Sequence, residues 1–326
     1  MRLATFNVNG IRAAQRRGFA GWIDRCGPDV VALQEVRCPV PALPVEVFAG
    51  YHVNYSPGNL AGRNGVAVLT RTPPLAVRSW GGELWAADPA GNAPAPDPDS
   101  PAPDPPAPDS ERPTSPAPAP VLSRELRDFV DEGRYLEVDL ADHPVTLACL
   151  YLPKGDSPLS PQGRNREPLT PERLAAVQHR YDRKMSFLAG FARQLRRSRR
   201  AALSAGRQFV VVGDFNIAHT RHDVKNWRAA RTASGFLPEE RAWLEAQIGP
   251  RTLVDVVRNL HPDQDGPYSW WSWMGQAFAH DTGWRIDYQL ASPALARGAL
   301  RASTDRDPDP GQRVSDHAPV VVDYDC

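Results

Sequence analysis

The stretch "FVVVGDFNIAHT", residues 209–220, decides the fold. Four apolar residues, 209–212, run without alternation into Gly213, Asp214, Phe215 and Asn216. A short, β-branched, unalternated run reads as a strand covered on both faces. Gly213 then permits a tight exit. Asp214 and Asn216 stand two apart, so in extended geometry their side chains share one face. Taken alone, such a pair fits a helix cap or an Asx-turn as well as a catalytic pair. The flanking sequence has to decide.

Outward from this strand the pattern alternates between strands and helices. "RLATFNVNG", "DVVALQEV", "GVAVLTR", "YLEVDL" and "VTLACLYLP" read as strands before it, "WRIDYQLAS" and "APVVVDYD" as strands after it. "GFAGWIDRCG" reads as a helix, and "TPERLAAVQHRYDRKMSFLAGFARQLRRSRRAALSAG" as a long one with a basic C-terminal part. "LPEERAWLEAQIG" is a helix opened by Pro and early acids, as helix starts prefer. This mixture predicts a sheet-rich core faced by helices. No repeat of fixed period is visible.

The 326 residues suit one large domain or two small ones. Hydrophobic content of 41% and charged content of 23% are ordinary for a globular protein. No apolar run is long enough for a bilayer, and "MRLATFNVNG" lacks the apolar core of a secretion signal. A cytoplasmic protein with no membrane partner is expected. Cys26, Cys38, Cys149 and Cys326 are scattered without metal-like pairing, as for reduced thiols. The formal net charge is zero, but residues 86–120 carry six acids against Arg112 alone. That leaves the segment five charges negative and the remainder five positive. A mildly basic body suits a nucleic-acid surface. The segment itself is Pro/Ala/Asp-rich and cannot bury enough surface to offset its ordering entropy. It is expected to be disordered.

Several strands end alike. "ATFNVNG" ends in Asn7 and Asn9, "VVALQEV" in Gln34 and Glu35, and "TLACLYLPKGD" presents Tyr151. "WRIDYQL" carries Asp287, and "RVSDHAPV" sets Asp316 and His317 just before a strand. Each has a bland explanation as a turn former, solvated end or cap. Six such ends together point to one site at a sheet edge. The chemistry these groups suit is phosphodiester hydrolysis. Glu35 suits a hard cation such as Mg²⁺. Asp214 can orient or deprotonate water. His317 paired with Asp287 can stabilise a phosphate in the transition state. Asn7, Asn216 and Tyr151 are neutral donors for phosphate oxygens. No His/Cys cluster for zinc, no P-loop and no Gly-x-Ser-x-Gly elbow is present.

"TFNVNGIR", "LQEV", "NGVAVLTR", "GRYLEVDL", "YLPKGD", "GDFNIAHT", "GFLPEERAWL", "GWRIDYQLAS" and "SDHAPV" resemble, in order and spacing, the motifs of the exonuclease III family of abasic-site endonucleases. That family lies within the endonuclease/exonuclease/phosphatase superfamily. The resemblance implies a four-layer α/β sandwich of two mixed β-sheets flanked by helices, the DNase I-like fold. It covers both sides of residues 86–120, so it implies a single domain over 1–326 with 86–120 as a loop insertion. It implies Glu35 as metal ligand, with Asn7, Asp214, Asn216 and Asp316 in the metal set. It implies catalytic roles for Tyr151, Asp214, Asn216, Asp287 and His317. Trp270, Trp284 and Ile286 fall where the family lines the pocket for a flipped-out abasic sugar. Asn9, Lys154 and Asn226 (in "KNWRAARTASGF") fall on the substrate side. Lys154 stands where the bacterial type enzyme has glutamine, and the acidic insertion is outside the family pattern.

The implied activity is Mg²⁺-dependent cleavage 5′ to abasic sites in duplex DNA, with Mn²⁺ as a substitute, in base excision repair. A 3′→5′ exonuclease or 3′-phosphodiesterase activity on blocked 3′ ends goes with it, and a monomer is expected. The alternatives are a superfamily phosphodiesterase on a lipid headgroup or inositol phosphate, and a DNA-binding module without catalysis. In "YSWWSW", Trp271 is expected in the core and Trp270 facing DNA. Arg193, Arg196, Arg197, Arg199 and Arg200 read as a solvated helix end favoured by the helix dipole.

Overall fold

A computed structural model describes residues 1–60, 62–81, 84–90, 122–159 and 169–326. Thirteen strands alternate with helices in it. They are β1 (Arg2–Asn7), β2 (Val30–Gln34), β3 (His52–Ser56), β4 (Val66–Thr70), β5 (Ala76–Ser79), β6 (Trp85–Ala87) and β7 (Tyr135–Asp139). The rest are β8 (Val145–Tyr151), β9 (Gln208–Asp214), β10 (Val254–Asp255), β11 (Asp287–Ala291), β12 (Ala299–Thr304) and β13 (Val320–Tyr324). They form two mixed sheets, β12-β13-β1-β2-β4-β3-β6 and β10-β11-β9-β8-β7-β5. Outside them lie α1 (Ile11–Arg16) and α2 (Phe19–Cys26) on the first sheet, and α3 (Pro171–Ser204) and α5 (Pro238–Glu245) on the second; α4 is the single turn Trp227–Ala230. No described helix is long and apolar enough to cross a membrane.

The unalternated strands are now explained by layering. In β9, Val210 and Val212 enter the core between the sheets, while Phe209 and Val211 pack against α3 with Phe187, Phe191 and Leu195. In β1 and β2, Leu3, Val30 and Ala32 face the inner core, while Ala4, Phe6, Val31 and Leu33 face α1 and α2. Side chains alternate faces, and both faces are oily because both are covered.

Register then gathers the polar ends. Parallel pairing sets Asn7 beside Gln34 in one sheet and Tyr151 beside Asp214 in the other. Antiparallel pairing sets Asp287 opposite Asp214. Gly213 differs from expectation: it lies inside β9 and turns nothing. A Cβ there would stand 1.9 Å from the Leu150 carbonyl oxygen, so glycine is required for β8 and β9 to approach (φ 137°).

The insertion boundary also needs correction. Ala86 and Ala87 belong to β6 and pair with Asn54 and Val53. Two alanines in a Pro-rich context carry no strand signal of their own; pairing with β3 supplies it. The expected disorder of the remainder, residues 91–120, lies outside the described residues. The arginine-rich part of α3 behaves as a helix end: Arg193 pairs with Glu125 and Arg199 donates to the Arg251 and Thr252 carbonyls. Lys184 reaches the cleft end of β9, and Arg200 lies roughly 24 Å further along the helix.

Candidate active site

The polar ends of both sheets open into one cleft of about 260 Å³. It is lined by Asn9, Glu35, Tyr151, Lys154, Asp214, Asn216, Trp270, Trp284, Ile286, Asp316 and His317 among the expected residues. Asn9, Glu35, Arg37 and Asn216, all lining it, have left-handed backbone (φ 46°, 52°, 51° and 50°). Such conformations cost about 1 kcal/mol or more each and concentrate at functional sites.

Asp214 sits at the centre, 1% exposed. Asn7 Nδ2 donates to its Oδ2 (2.9 Å) and the Asn216 backbone N–H to its Oδ1 (2.8 Å). The Asn7 bond crosses from β1 to β9, so it stitches the two sheets. His317 bonds through Nδ1 to Asp287 Oδ2 (2.8 Å), and its Nε2 stands 3.8 Å from Asp214 Oδ2. Ser269 Oγ accepts the Ile286 and Asp287 N–H groups (both 3.1 Å) and fixes that strand entry.

The two central groups carry shifted acidities. Burial disfavours the His317 cation, but Asp287, Asp214 and Asp316 outweigh it and push the pKa up to about 10. The side chain is an imidazolium at neutral pH. Burial raises Asp214; His317 opposes this, and Asp287 and Glu35 add to it, leaving the carboxyl at about 7. Its charge therefore changes around neutral pH. Burial also works against the Asp316 carboxylate, but His317 and hydrogen bonds from Asn9 and Trp270 hold it below its ordinary value.

The rim beside this pair is acidic and oxygen-rich. Tyr151 donates its hydroxyl to Glu35 Oε1, and its own pKa is pushed up by burial and by the Glu35 and Asp214 charges. Arg37 pairs with Glu35 Oε2 and donates to Asn9 Oδ1 (2.6 Å), and Asn9 donates to Asp316 Oδ1 (2.7 Å). Carboxylate and carboxamide oxygens are the donors a hard divalent cation takes, and the rim already holds a cation in Arg37. A buried cluster beside the rim, Asp214, Asp287 and His317, could hold a metal ion. Its ligand atoms lie within 4.8 Å of one another.

An apolar wall faces the acids. Trp270 and Trp284 meet edge to face (centroids 6.3 Å, 88°) beside Ile286. Trp270 Nε1 donates to Asp316 Oδ2 (3.1 Å). Trp271 is buried, with Nε1 on Asp281, so the two tryptophans divide as expected between cleft and core.

One expected substrate residue stands apart. Asn226 is exposed and outside the lining; its carbonyl caps the short turn of α4. Sequence reading missed Arg37, Ala233, Ser234 and Gly235, which line the cleft. Arg37 had a signal, two residues after Glu35 in "LQEVR"; the other three lie in "KNWRAARTASGF", where Asn226 alone was singled out.

Residues 4–317 match the Endonuclease/Exonuclease/phosphatase family. The chain belongs to that family. It is similar to the DNA repair nuclease APEX1 of Danio rerio, 27% identical over 99% of this chain and 81% of that protein. It is also similar to exodeoxyribonuclease III of Haemophilus influenzae, 25% identical over 99% of this chain and 100% of that one. Among solved structures, an AP endonuclease from Archaeoglobus fulgidus superposes with TM-score 0.69 at 23% identity, with both chains covered completely. At that identity the likeness shows the fold. The endonuclease/exonuclease/phosphatase match runs across residues 86–120 and takes in every cleft residue named above.

Proposed function

We propose that this family member is a DNA repair nuclease that hydrolyses the backbone 5′ to abasic sites in duplex DNA, as a monomer and with Mg²⁺. The names of its relatives support a repair nuclease. The observation that carries the finer reading is one cleft that sets the buried Asp214 carboxyl and the His317–Asp287 pair beside an apolar tryptophan wall. The chain is read as a single domain, with residues 91–120 as an insertion between β6 and the segment leading to β7.

Glu35, with Asn7, Asn216 and Asp316, would hold the cation, and Tyr151 orients Glu35 by its hydrogen bond. When bound, a divalent cation supplies neutralisation of phosphate-oxygen charge. Asp214, as carboxylate, accepts a proton from the water whose oxygen attacks phosphorus. The P–O3′ bond breaks as the departing O3′ takes a proton from solvent, leaving a 3′-hydroxyl and a 5′-phosphate on the abasic sugar. His317 donates a hydrogen bond to a phosphoryl oxygen as charge builds, and Asp287 keeps it charged and oriented. Asn216 fixes Asp214 through its N–H. Trp270, Trp284 and Ile286 receive the extruded sugar, which leaves the stack at low cost because it carries no base. Lys154, exposed at the rim, meets backbone phosphate.

The test is nicking of a duplex with one abasic site, with and without Mg²⁺, beside an exonuclease assay on blocked 3′ ends. Nicking only with Mg²⁺ is expected. Activity on lipid or inositol phosphates in place of DNA, or binding without cleavage, overturns the reading.

A further inference from the structure

Beneath the cleft lies an ion pair that the chemistry above does not use. Lys184 on α3 and Glu240 in the first turn of α5 both have side-chain exposure of 0%, with Nζ 2.6 Å from Oε1. Nζ also donates to the carbonyls of Lys154 (3.1 Å) and Asn216 (2.9 Å). The other Glu240 oxygen accepts the N–H groups of Gly235 (2.7 Å) and Leu237 (2.9 Å). One buried pair thus ties the loop after β8, the loop after β9 and the wall segment 233–237. Ser234 Oγ donates to the same Lys154 carbonyl (2.8 Å), and Ala218 N–H to the Gly235 carbonyl (2.7 Å).

Stability alone gives little reason for such a pair. Desolvating two charges costs about as much as their attraction returns, and apolar replacements are often as stable. Its reach is more informative. Asn216 supports Asp214 on one side. Gly235 meets Trp284 on the other: a Cβ on Gly235 would stand 3.4 Å from the Trp284 ring and 3.0 Å from the Asn216 carbonyl oxygen. Those contacts leave little play between base and wall.

We propose that Lys184 and Glu240 are positioning residues that set the separation between Asn216 and the 233–237 wall, and with it the fit of the substrate sugar beside Asp214. This rests on reading the cleft as a nuclease site. The pair touches neither substrate nor reacting atoms; it acts through backbone carbonyls and amides.

Two double variants separate positioning from stability, because each removes both charges together. Lys184→Met/Glu240→Gln keeps an acceptor for the wall amides and loses the donor to Lys154 and Asn216. At saturating Mg²⁺ its kcat on abasic duplex should fall about tenfold, since small misplacements are costly, with KM nearly unchanged. Hydrogen-exchange protection of the Gly235 and Leu237 amides should remain. Lys184→Met/Glu240→Leu also loses the acceptor; protection at both amides should vanish and KM should rise about tenfold as the sugar pocket loosens. Gly155→Ala offers a third route. Its Cβ would come within 2.5 Å of Lys184 Cδ, and at φ 69° it also strains the loop after β8, so lysine and loop shift with both charges kept, and a severalfold kcat loss is expected. Wild-type kcat and KM in either folded double variant overturn the proposal. If neither folds, wild-type kcat in Gly155→Ala overturns it. If the wild type does not nick abasic DNA while amide protection responds as described, the nuclease reading fails and the positioning of the wall stands.

Discussion

Two buried acid clusters lie side by side in this molecule, and they are built on opposite principles. In the cleft, Asp214 shares its surroundings with Glu35, Asp287 and Asp316 against His317, and its carboxyl is pushed up to about 7. Behind the wall, Asp223 receives Arg285 (2.7 Å) and Arg258 (2.5 Å), while Asp255 takes Arg285 through both oxygens (3.0 and 2.8 Å). Burial works against the Asp223 carboxylate too, but the two guanidiniums hold it well below the usual range. Acids matched by arginines have fixed charge and serve as mortar. Acids crowded among acids have adjustable charge and suit chemistry. The two meet at "WRID": Arg285 locks the mortar one residue from Ile286 and two from Asp287.

The largest effect should come from swapping a carboxylate for its amide in the cleft. Asp214→Asn removes the proton acceptor and keeps the shape. We expect kcat to fall by about a thousandfold or more, with DNA affinity and Tm nearly unchanged. Near-normal turnover at saturating Mg²⁺ would erase the contrast. The wild-type rate should also rise with pH through about 7, because Asp214 must be the carboxylate to accept a proton. A bound cation favours the charged form, so raising Mg²⁺ should move that limb to lower pH.

The same swap in the mortar should do the reverse. Asp223→Asn leaves Arg285 and Arg258 short of charge, costing about 3 kcal/mol as in other broken buried pairs. It should appear in denaturant melts, with kcat of the folded enzyme kept within a few-fold. The pH sign agrees: a depressed aspartate stabilises the fold above the ordinary carboxylate pKa and loses that contribution as pH falls toward its own lower value. Wild-type stability in Asp223→Asn would mean the arginines find other partners.

Sequence reading reached the cleft and missed the mortar, for a physical reason. Asn7, Glu35, Tyr151, Asp214 and Asp287 announce themselves because they interrupt oily strands. Asp223, Arg258 and Lys184 sit in loops and helices, where a charged residue reads as solvated until tertiary packing buries it. Strands β3, β5, β10 and β12 were missed likewise: "HVNYS" and "ALRAST" are short or at a sheet edge, and pairing decides them more than propensity. Arg37 escaped because its neighbour Glu35 accounted for the motif alone.

A smaller effect is expected at the apolar wall, which joins the two clusters. Trp284→Ala enlarges the sugar pocket and removes no ligand or proton carrier. The abasic-to-intact preference should fall about tenfold, the scale of an apolar pocket contact, with the Mg²⁺ requirement unchanged. If Trp284→Ala and Trp270→Ala both fold and keep full discrimination, damage is sensed through backbone deformability instead.

The smallest effect should come from the segment that belongs to neither cluster. The composition of residues 91–120 offers little to bury. Where the cut is made matters. Removal from residue 86 would take Ala86 and Ala87 out of β6 and strip the outer strand from β3. Removal of 91–120, bridged by a short Gly/Ser turn, spares that pairing. Closure entropy grows only with the logarithm of length, so the shorter connection should contribute about 1–2 kcal/mol of stability. Nicking should stay within about twofold, because the segment lies outside the matched motifs and offers no residue assigned to the reaction. Loss of activity in a folded deletion would show that the segment reaches the cleft. One difference should remain. The deletion removes five of the segment's acids (Asp97, Asp99, Asp104, Asp109 and Glu111) against one arginine, so undamaged DNA should bind slightly tighter at low salt and equally at high salt. Identical binding at both would place the segment's charge beyond screening distance of the DNA surface.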